Sequence, residues 1–322
     1  MQRRIVASFL SWLLFLVVFP ILILAQTDST DQNPPPPLGK LVDVGGYRVH
    51  LYCAGTGSPT VVIVGAGYSF DWGLVQSEVA KFTQVCSYDH SGIGWSDDGP
   101  KDSCTLRVGE VHGALKNAGI KGPYVLVGHS LGALVARVYA GKHPEEIAGM
   151  VFVDHAFSTG AKSGMMRPGI TLLPPNGAIA APPDNSGTPT AGGLGPVAVG
   201  LQDDPNFSKL SAQDRELHLW FMAKPRDQKV LQANHEMVPQ CFADADATLE
   251  RHNRPLGDKP LADVDTPNSA GAGLQKTLLS ISTNSKEMLA DKSGHFVIID
   301  RPDVVVDAIS QVVRSARNKT PL

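Results

Sequence analysis

The stretch from Tyr124 to Tyr139, YVLVGHSLGALVARVY, restricts the fold of this 322-residue chain more than any other. An apolar run leads through a serine flanked by glycines into residues with helical spacing. Because Gly128 and Gly132 lack side chains, the chain can turn sharply and hold Ser130 strained, with its hydroxyl above a sheet. A serine that only caps a helix is the alternative, although a cap needs no glycine on both sides. The pattern predicts a buried strand, a sharp turn and a helix, with Ser130 as a candidate nucleophile.

Strands and helices alternate around this stretch. The segments typical of buried parallel strands are TVVIVGAG, QVCSYD and GMVFVDH. The segments with helical spacing are DWGLVQSEVAKF, with Asp71 as candidate N-cap, and TLRVGEVHGALKNAGI. The first segment, KLVDVGGYRVHLYCAGTG, has the Gly45-Gly46 signal of a hairpin. The predicted class is α/β, with a mostly parallel central sheet, an antiparallel N-terminal hairpin strand and helices on both faces.

The regular alternation stops at Ala156. Residues 156–205 are rich in Gly, Pro, Ala and Thr, and two helical pieces follow, SAQDRELHLWFMAK and ANHEMVPQCFADADATLERH. An insertion of this length, about residues 156–255, is typical of a lid. The remaining segments predict a weak strand interrupted by Asp263, a helix, a strand and an amphipathic helix: PLADVDT, GLQKTLLSIS, KEMLAD and RPDVVVDAISQVVRSA.

The first residues differ from the rest in composition. Arg3 and Arg4 precede an uncharged apolar run, residues 5–25, that ends in a small alanine. The run is typical of a cleaved secretory signal or of a retained anchor, since about 20 apolar residues span a bilayer. In both cases the basic residues stay inside and the remainder is extracytoplasmic. Residues 26–38 predict a disordered, proline-rich tether, and residues 39–322 the folded domain.

Charge and cysteine content exclude some functions. The net charge of −3 gives no reason to expect a nucleic-acid partner. The four cysteines are too far apart in sequence for a zinc cluster, and no metal site is expected. In an exported chain they are free to form two disulfides, with buried thiols as the alternative.

Four segments, in order, resemble those of α/β-hydrolase fold proteins of the esterase and lipase type: DWGLVQSEVAKF, YDHSGIGWSDDGP, VGHSLGALVARVYAGKHP and SGHFVIIDRPDVVVDAI. The resemblance covers Lys40 to Asp154 and Pro260 to Ser315, and the insertion between them resembles no family. It implies a serine hydrolase that forms an acyl-enzyme on a small-molecule substrate without a metal or organic cofactor.

The resemblance also implies a base and an acid for Ser130. His295 in DKSGHFVIID follows the last strand and precedes the final helix, where the family has its base. Asp154, at the end of GMVFVD, occupies a position that some relatives use for the acid. The alternatives are Asp265, after the weak strand, and a site with no acid member.

Further site residues follow from the same resemblance. The oxyanion donors are the backbone N–H groups of Leu131 and of Tyr68 in VGAGYSF, or of a residue one position away from Tyr68. His129 is expected to line the pocket floor. Trp220 and Phe221 in the insertion indicate an apolar acyl or alcohol group, or alternatively pack against the core.

We therefore expect an exported serine hydrolase of carboxylic esters or a related acyl bond. The alternative is a catalytically retired relative that binds a small apolar ligand under its lid. In this fold the second and fourth strands are antiparallel neighbours, so their cysteines, Cys53 and Cys86, are expected to meet and form a disulfide. Unbonded thiols are the alternative there. The sequence predicts no oligomeric state.

Overall fold

The structure, a computed structural model, describes residues 33–155, 200–251, 254–267 and 278–322. The chain divides into two units, Met1–Asn33 and Pro34–Leu322, and every element below belongs to the second. The predicted signal or anchor, much of the predicted lid and the first half of the predicted helix GLQKTLLSIS lie outside the described residues. In the described part, no helix combines the length and apolarity that crossing a membrane requires.

Eight strands form one sheet in the order β1-β2-β4-β3-β5-β6-β7-β8. Their bounds are β1 Lys40–Asp43, β2 Arg48–Ala54, β3 Thr60–Val64, β4 Val85–Asp89, β5 Tyr124–His129, β6 Ile147–Val153, β7 Leu261–Asp265 and β8 Ser285–Leu289. The pairs β1–β2 and β2–β4 are antiparallel, and the other neighbours are parallel. The predicted fold class is therefore confirmed.

Helices cover both faces of the sheet. Their bounds are α1 Gly73–Val79, α2 Cys104–Asn117, α3 Leu131–Lys142, α4 Ala212–Met222, α5 Pro225–Arg251, α6 Val297–Asp300 and α7 Pro302–Asn318. On β5, Leu126 packs with α2, α3 and α5, whereas Val125 and Val127 pack with α1 and α7. This alternation gives two apolar cores, one on each side of the central strand.

Three local predictions need correction. The N-cap prediction for Asp71 is wrong, because Asp71 lies inside a 3-10 turn, Ser69–Trp72, that precedes α1. The second insertion helix begins at Pro225, well before the predicted Ala233, since proline suits the first turn of a helix. β7 is a complete, buried strand although Asp263 stands in its middle.

Both disulfides are formed. Cys53 and Cys86 are directly opposite each other on β2 and β4, and the bond predicted between them is confirmed. The second bond joins Cys104, the first residue of α2, to Cys241 in α5. The sequence did not predict this pairing. It attaches the long insertion helix covalently to the body of the domain.

Candidate active site

Ser130 occupies a strained turn between β5 and α3. Its backbone has φ 54° and ψ −124°, and its side chain makes no capping hydrogen bond to the helix. A Cβ on Gly128 would lie 2.5 Å from the Cα of Ala133, and one on Gly132 would overlap the carbonyl oxygen of Val64. Both glycines are therefore required by close approach of the backbone. Ser130 is held in a left-handed conformation that a helix cap does not use.

His295 and Asp154 form a short hydrogen-bonded pair next to this turn. His295 Nδ1–H donates to Asp154 Oδ2 at 2.6 Å, and Thr266 Oγ1–H donates to Asp154 Oδ1 at 3.1 Å. In the parallel register of β5 and β6, the residue before Ser130 is paired with the residue before Asp154. Asp154 is thus beside Ser130 at the carboxyl edge of the sheet. Asp265, the alternative acid, is buried at the end of β7.

The pair leaves one imidazole nitrogen for chemistry. Because Nδ1 donates to Asp154, the lone pair of a neutral His295 is on Nε2. The imidazole is 35% exposed, whereas the carboxylate of Asp154 is only 12% exposed. A buried carboxylate stabilises a protonated imidazole more strongly than an exposed one does. The arrangement can therefore accept a proton at Nε2 and stabilise the resulting imidazolium.

His129 lies below His295 and contacts its backbone. Its Nε2–H donates to the carbonyl oxygen of His295 at 2.9 Å, and the two rings are 4.8 Å apart. Burial, and then the charge of His295, lower the pKa of His129 to about 4. His129 is therefore neutral at pH 7. Its polar edge is turned toward backbone, so it supports the loop that carries the candidate base.

A second residue fixes the same loop. Asp300 is buried, and its Oδ2 accepts hydrogen bonds from Gly294 N–H at 2.7 Å and from Ser293 Oγ–H at 3.1 Å. Its Oδ1 accepts from the side-chain amide of Asn206 at 2.6 Å. Asp300 is the last residue of α6, so this short helix fixes the loop before His295 from the other side.

The expected oxyanion donors have different environments. Leu131 is the first residue of α3, where backbone N–H groups have no partner within the helix. The Tyr68 N–H donates instead to Asp71 Oδ2 at 3.1 Å. Asp71 also accepts from His218 Nδ1–H at 2.7 Å, so the Tyr68 amide belongs to a buried polar network. The Tyr68 N–H group therefore has a protein acceptor, Asp71, in this structure.

The two insertion aromatics lie in packed surroundings. Phe221 is buried, with its ring 5.8 Å from that of Tyr68 and 5.0 Å from that of Trp95. Trp220 is half-buried, and the Lys224 Nζ lies 3.9 Å from the centre of its ring. Both residues have a packing role. Their contact with substrate stays a prediction.

One polar contact near the site had no sequence signal. Asn234, on α5, donates from Nδ2 to the carbonyl oxygen of Ala66 at 3.2 Å. Its Oδ1 accepts from Arg107 Nη2, and Arg107 is buried and paired with Asp102. A single asparagine in a helical pattern is usually solvated, so only the packed structure reveals that it contacts the loop after β3.

Two other groups of histidine and carboxylate side chains in the described part of the chain have the spacing of metal ligands. In each group the ligand atoms are close enough to share an ion. One is His112 with His143 and Glu146, and the other is His155 with Asp263 and Asp265. Neither group includes the serine or the histidine–aspartate pair.

Sequence comparison agrees with the topology. Residues 61–181 match the model of the alpha/beta hydrolase fold family. A 2-hydroxymuconate semialdehyde hydrolase of Pseudomonas sp. (strain CF600) is 32% identical over 135 residues, 40% of this chain and 47% of that protein. The uncharacterized protein YqjL of Bacillus subtilis (strain 168) is 31% identical over 121 residues, 36% of this chain and 48% of that protein. The chain thus spans less than half the length of these relatives.

Solved structures resemble nearly the whole domain. Cfl2 from Burkholderia cenocepacia has a TM-score of 0.63 at 17% identity, covering 88% of this chain and 99% of that one. The meta-cleavage product hydrolase from Pseudomonas fluorescens IP01 has a TM-score of 0.57 at 16% identity, covering 85% and 98%. At such identities the likeness establishes the fold alone. With its sheet order and these structural likenesses, this chain has the α/β-hydrolase fold.

Proposed function

We propose that this chain is an exported serine hydrolase that cleaves carboxylic esters or a related acyl bond. The observation that carries the proposal is the 2.6 Å pair between His295 and Asp154 beside the strained Ser130. Serine hydroxyls are weak nucleophiles at neutral pH, and a histidine oriented by a carboxylate is the usual means of activating them. A helix-capping role for Ser130 would need neither the strain nor the neighbouring pair.

The proposed reaction uses two proton transfers at one nitrogen. Ser130 Oγ attacks the acyl carbon while His295 Nε2 accepts its proton, and Asp154 stabilises the imidazolium. The same proton then passes to the leaving group, and an acyl-serine forms. Water, deprotonated by His295, hydrolyses this intermediate and restores the enzyme. The oxygen anion of each tetrahedral intermediate is stabilised by backbone N–H groups.

For those donors we propose the N–H groups of Leu131 and Ala66. The Tyr68 amide donates to Asp71, which leaves an earlier residue of the loop as the second donor. The carbonyl carbon of Gly65 would lie 3.4 Å from a Cβ on Gly132, so the Gly65–Ala66 peptide touches the first turn of α3. The second donor is thus expected two residues before Tyr68.

The acyl class is supported by relatives and neighbours that are hydrolases. The names of two similar proteins are 2-hydroxymuconate semialdehyde hydrolase and meta-cleavage product hydrolase, and another structural neighbour is a putative lipase from Acinetobacter baumannii. Ester cleavage and cleavage of an activated carbon–carbon bond share the serine, the histidine and the oxyanion donors. We propose an ester because the chain needs no further group to hydrolyse one.

Export is supported by an independent observation. Both disulfides join residues of the folded domain, and disulfides persist in oxidising compartments. The uncharged apolar run in residues 5–25 is consistent with the same compartment.

Labelling with a fluorophosphonate probe tests the nucleophile directly. The wild type should react and hydrolyse short p-nitrophenyl esters, and Ser130→Ala should lose both the label and at least about a thousandfold in kcat/KM. Ser69→Ala is the matched control. Ser69 also approaches a histidine–aspartate pair, His50 and Asp89, but it is buried and His50 Nε2 accepts from Gly39 N–H.

The control should retain label and turnover. Labelling that persists in Ser130→Ala would overturn the nucleophile assignment. A folded wild type that neither reacts with the probe nor turns over any ester would favour a protein that only binds its ligand.

A further inference from the structure

Three ionisable side chains converge at the carboxyl ends of β6 and β7 and have no part in the proposed mechanism. Asp263 and Asp265 belong to β7, and because strand side chains alternate, both face the same side of the sheet. His155 follows Asp154 directly after β6, and its ring is 5.7 Å from that of Phe152. All three are buried, and their ligand-type atoms lie within 4.8 Å of one another.

Asp263 is the least expected of the three. Its exposure is 0%, and in the part of the chain that the structure describes neither carboxylate oxygen accepts a hydrogen bond. It is paired in register with Phe152 on β6, in a region where buried parallel strands carry apolar residues. A carboxylate removed from water without donors is strongly destabilising unless a positive charge compensates it. A cation bound at this position would compensate the charge.

His155 brings a ring nitrogen to Asp263. His155 Nδ1 lies 3.0 Å from Asp263 Oδ1, a contact that is an ion pair when the imidazole is protonated. A ring nitrogen and a carboxylate oxygen at this distance can also contact the same metal cation. Asp265 supplies another carboxylate within the same radius.

We propose that His155, Asp263 and Asp265 bind one divalent metal cation, Zn²⁺ or Mn²⁺. Imidazole favours Zn²⁺ and carboxylates favour Mn²⁺, and a histidine with two carboxylates suits both. Two atoms bound to one zinc ion at about 2.1 Å are at most about 4.2 Å apart. The ligand-type atoms lie within 4.8 Å of one another, and small side-chain rotations can bring them to that spacing.

The role of the ion follows from its place in the sheet. Its ligands lie on neighbouring strands, one of which ends next to Asp154, whose N–H donates to Val264 on the other strand. The ion touches no atom of the proposed reaction. It stabilises the junction of β6 and β7, from which the carboxylate partner of His295 extends.

Metal content and thermal stability test the site without recourse to activity. All measurements use the full chain in a His112→Ala background, which removes the half-exposed cluster with His143 and Glu146 as a second metal site. Protein produced with added Zn²⁺ or Mn²⁺ should retain about one ion per chain after gel filtration, measured by inductively coupled plasma mass spectrometry. Adding the same ion to chelator-treated protein should raise Tm by about 5 °C at a hundredfold excess over Kd.

Asp263→Asn is the test variant, because it keeps the shape and removes the charge. It should lose the bound ion and the metal-dependent change in Tm. Should this variant fail to fold, His155→Gln keeps both carboxylates and should bind the ion at least about tenfold more weakly.

Two results would overturn the proposal. One is metal-free wild type whose Tm does not respond to either ion. The other is equal metal content in the wild type and the test variants. Fluorophosphonate labelling is read separately, so loss of this proposal leaves the hydrolase proposal intact, and the reverse.

Discussion

Backbone strain singles out two residues of the candidate site. Ser130 and Asp154 follow adjacent parallel strands, and their φ values are 54° and 36°. Non-glycine residues seldom adopt positive φ, and where they do, the surrounding structure must hold them. Here close backbone packing holds Ser130, and hydrogen bonds from Thr266 and His295 hold the carboxylate of Asp154. Strain on both residues, next to each other, is more informative than either alone.

Asp154→Asn should lower kcat for ester hydrolysis by about 10³–10⁴-fold, because the amide leaves His295 in the wrong tautomer. Asp265→Asn should change Tm but keep kcat within about tenfold, since Asp154 is the carboxylate that contacts His295. Steady-state kinetics below the Tm of both variants will decide between the two carboxylates. The reverse ranking would assign the acid to β7.

The buried His129 should make the domain less stable in acid. Burial and the charge of His295 lower its pKa to about 4, below the ordinary value of about 6.5. The unfolded chain therefore binds a proton between these values while the folded chain does not. Stability is full above pH 6.5 and falls by about 3 kcal/mol as pH decreases through 4.

Denaturant unfolding at pH 7 and pH 4.5 measures this difference. His129→Gln, which can still donate to the carbonyl oxygen of His295, should show a smaller difference between the two pH values. His112→Gln, at a half-exposed position, is the control and should behave as the wild type. Equal pH dependence in all three proteins would contradict a neutral, buried His129.

At the scale of elements, α5 is a part of the insertion that contacts the loop after β3. A disulfide joins it to α2, Met237 and Ala245 pack in the core with α3, and Asn234 contacts the loop after β3. Pro239 stands inside the helix without ending it. A covalent bond and core packing therefore fix α5 to the rest of the domain.

Asn234→Ala should lower kcat by roughly tenfold with little change in KM, because the Ala66 carbonyl loses its donor and the proposed oxyanion N–H is held less firmly. Gln240→Ala on the same helix is the matched control, since Gln240 is exposed and its side-chain amide donates to Asp244 one turn away. A rise in KM at constant kcat would show that Asn234 acts on substrate binding instead.

The sequence predicted the elements that depend on local pattern. β3 and β5 are apolar runs next to glycines, and the hairpin of β1 and β2 has its glycine pair. β7 was underestimated because a carboxylate in the middle of a strand contradicts the pattern unless a compensating partner exists. The pairing of Cys104 with Cys241 depends on how α5 packs, which no local pattern encodes.

The candidate site divides in the same way. Ser130, Asp154 and His295 were predicted from motif and chain order, and the structure pairs His295 with Asp154. The role of the Tyr68 amide as an oxyanion donor stays a prediction. Its hydrogen bond to Asp71, which is also paired with His218 far along the chain, had no sequence signal. Asn234 and His129 donate to backbone carbonyl oxygens. Every residue has such an oxygen, so the sequence does not show which one is the partner.

At the scale of the whole molecule, the folded unit begins earlier than the predicted tether allows. The indole Nε1–H of Trp95 donates to the carbonyl oxygen of Pro35 at 2.6 Å, and Leu38 packs against the aromatic cluster of Trp95 and Phe221. Part of the segment predicted as a disordered tether is therefore attached to the domain. A truncation should stop before this contact.

Removing residues 1–32 should give an active domain when the protein is made in an oxidising compartment, since both disulfides and every proposed site residue remain. Removing residues 1–37 should give a domain with lower Tm, because the contact between Pro35 and Trp95 is lost. Probe labelling and thermal unfolding of the two truncations check this.

N-terminal sequencing of the full chain after expression tests export. A start at Gln26 indicates a cleaved signal, and an intact Met1 in the membrane fraction indicates an anchor. Full-length chain that is soluble in the cytoplasm, with its four thiols reduced, would contradict both.

The absent side chain of Gly132 has a consequence for the energetics of turnover. Because the first turn of α3 rests directly on the backbone at the end of β3, the two proposed oxyanion donors cannot move apart independently. Their dipoles are oriented before any substrate arrives. Water must reorient its dipoles around a developing anion, and that reorganisation is a large part of the barrier in solution. In the proposed mechanism the fold already orients the two donors, so this reorganisation is not repeated in each catalytic cycle.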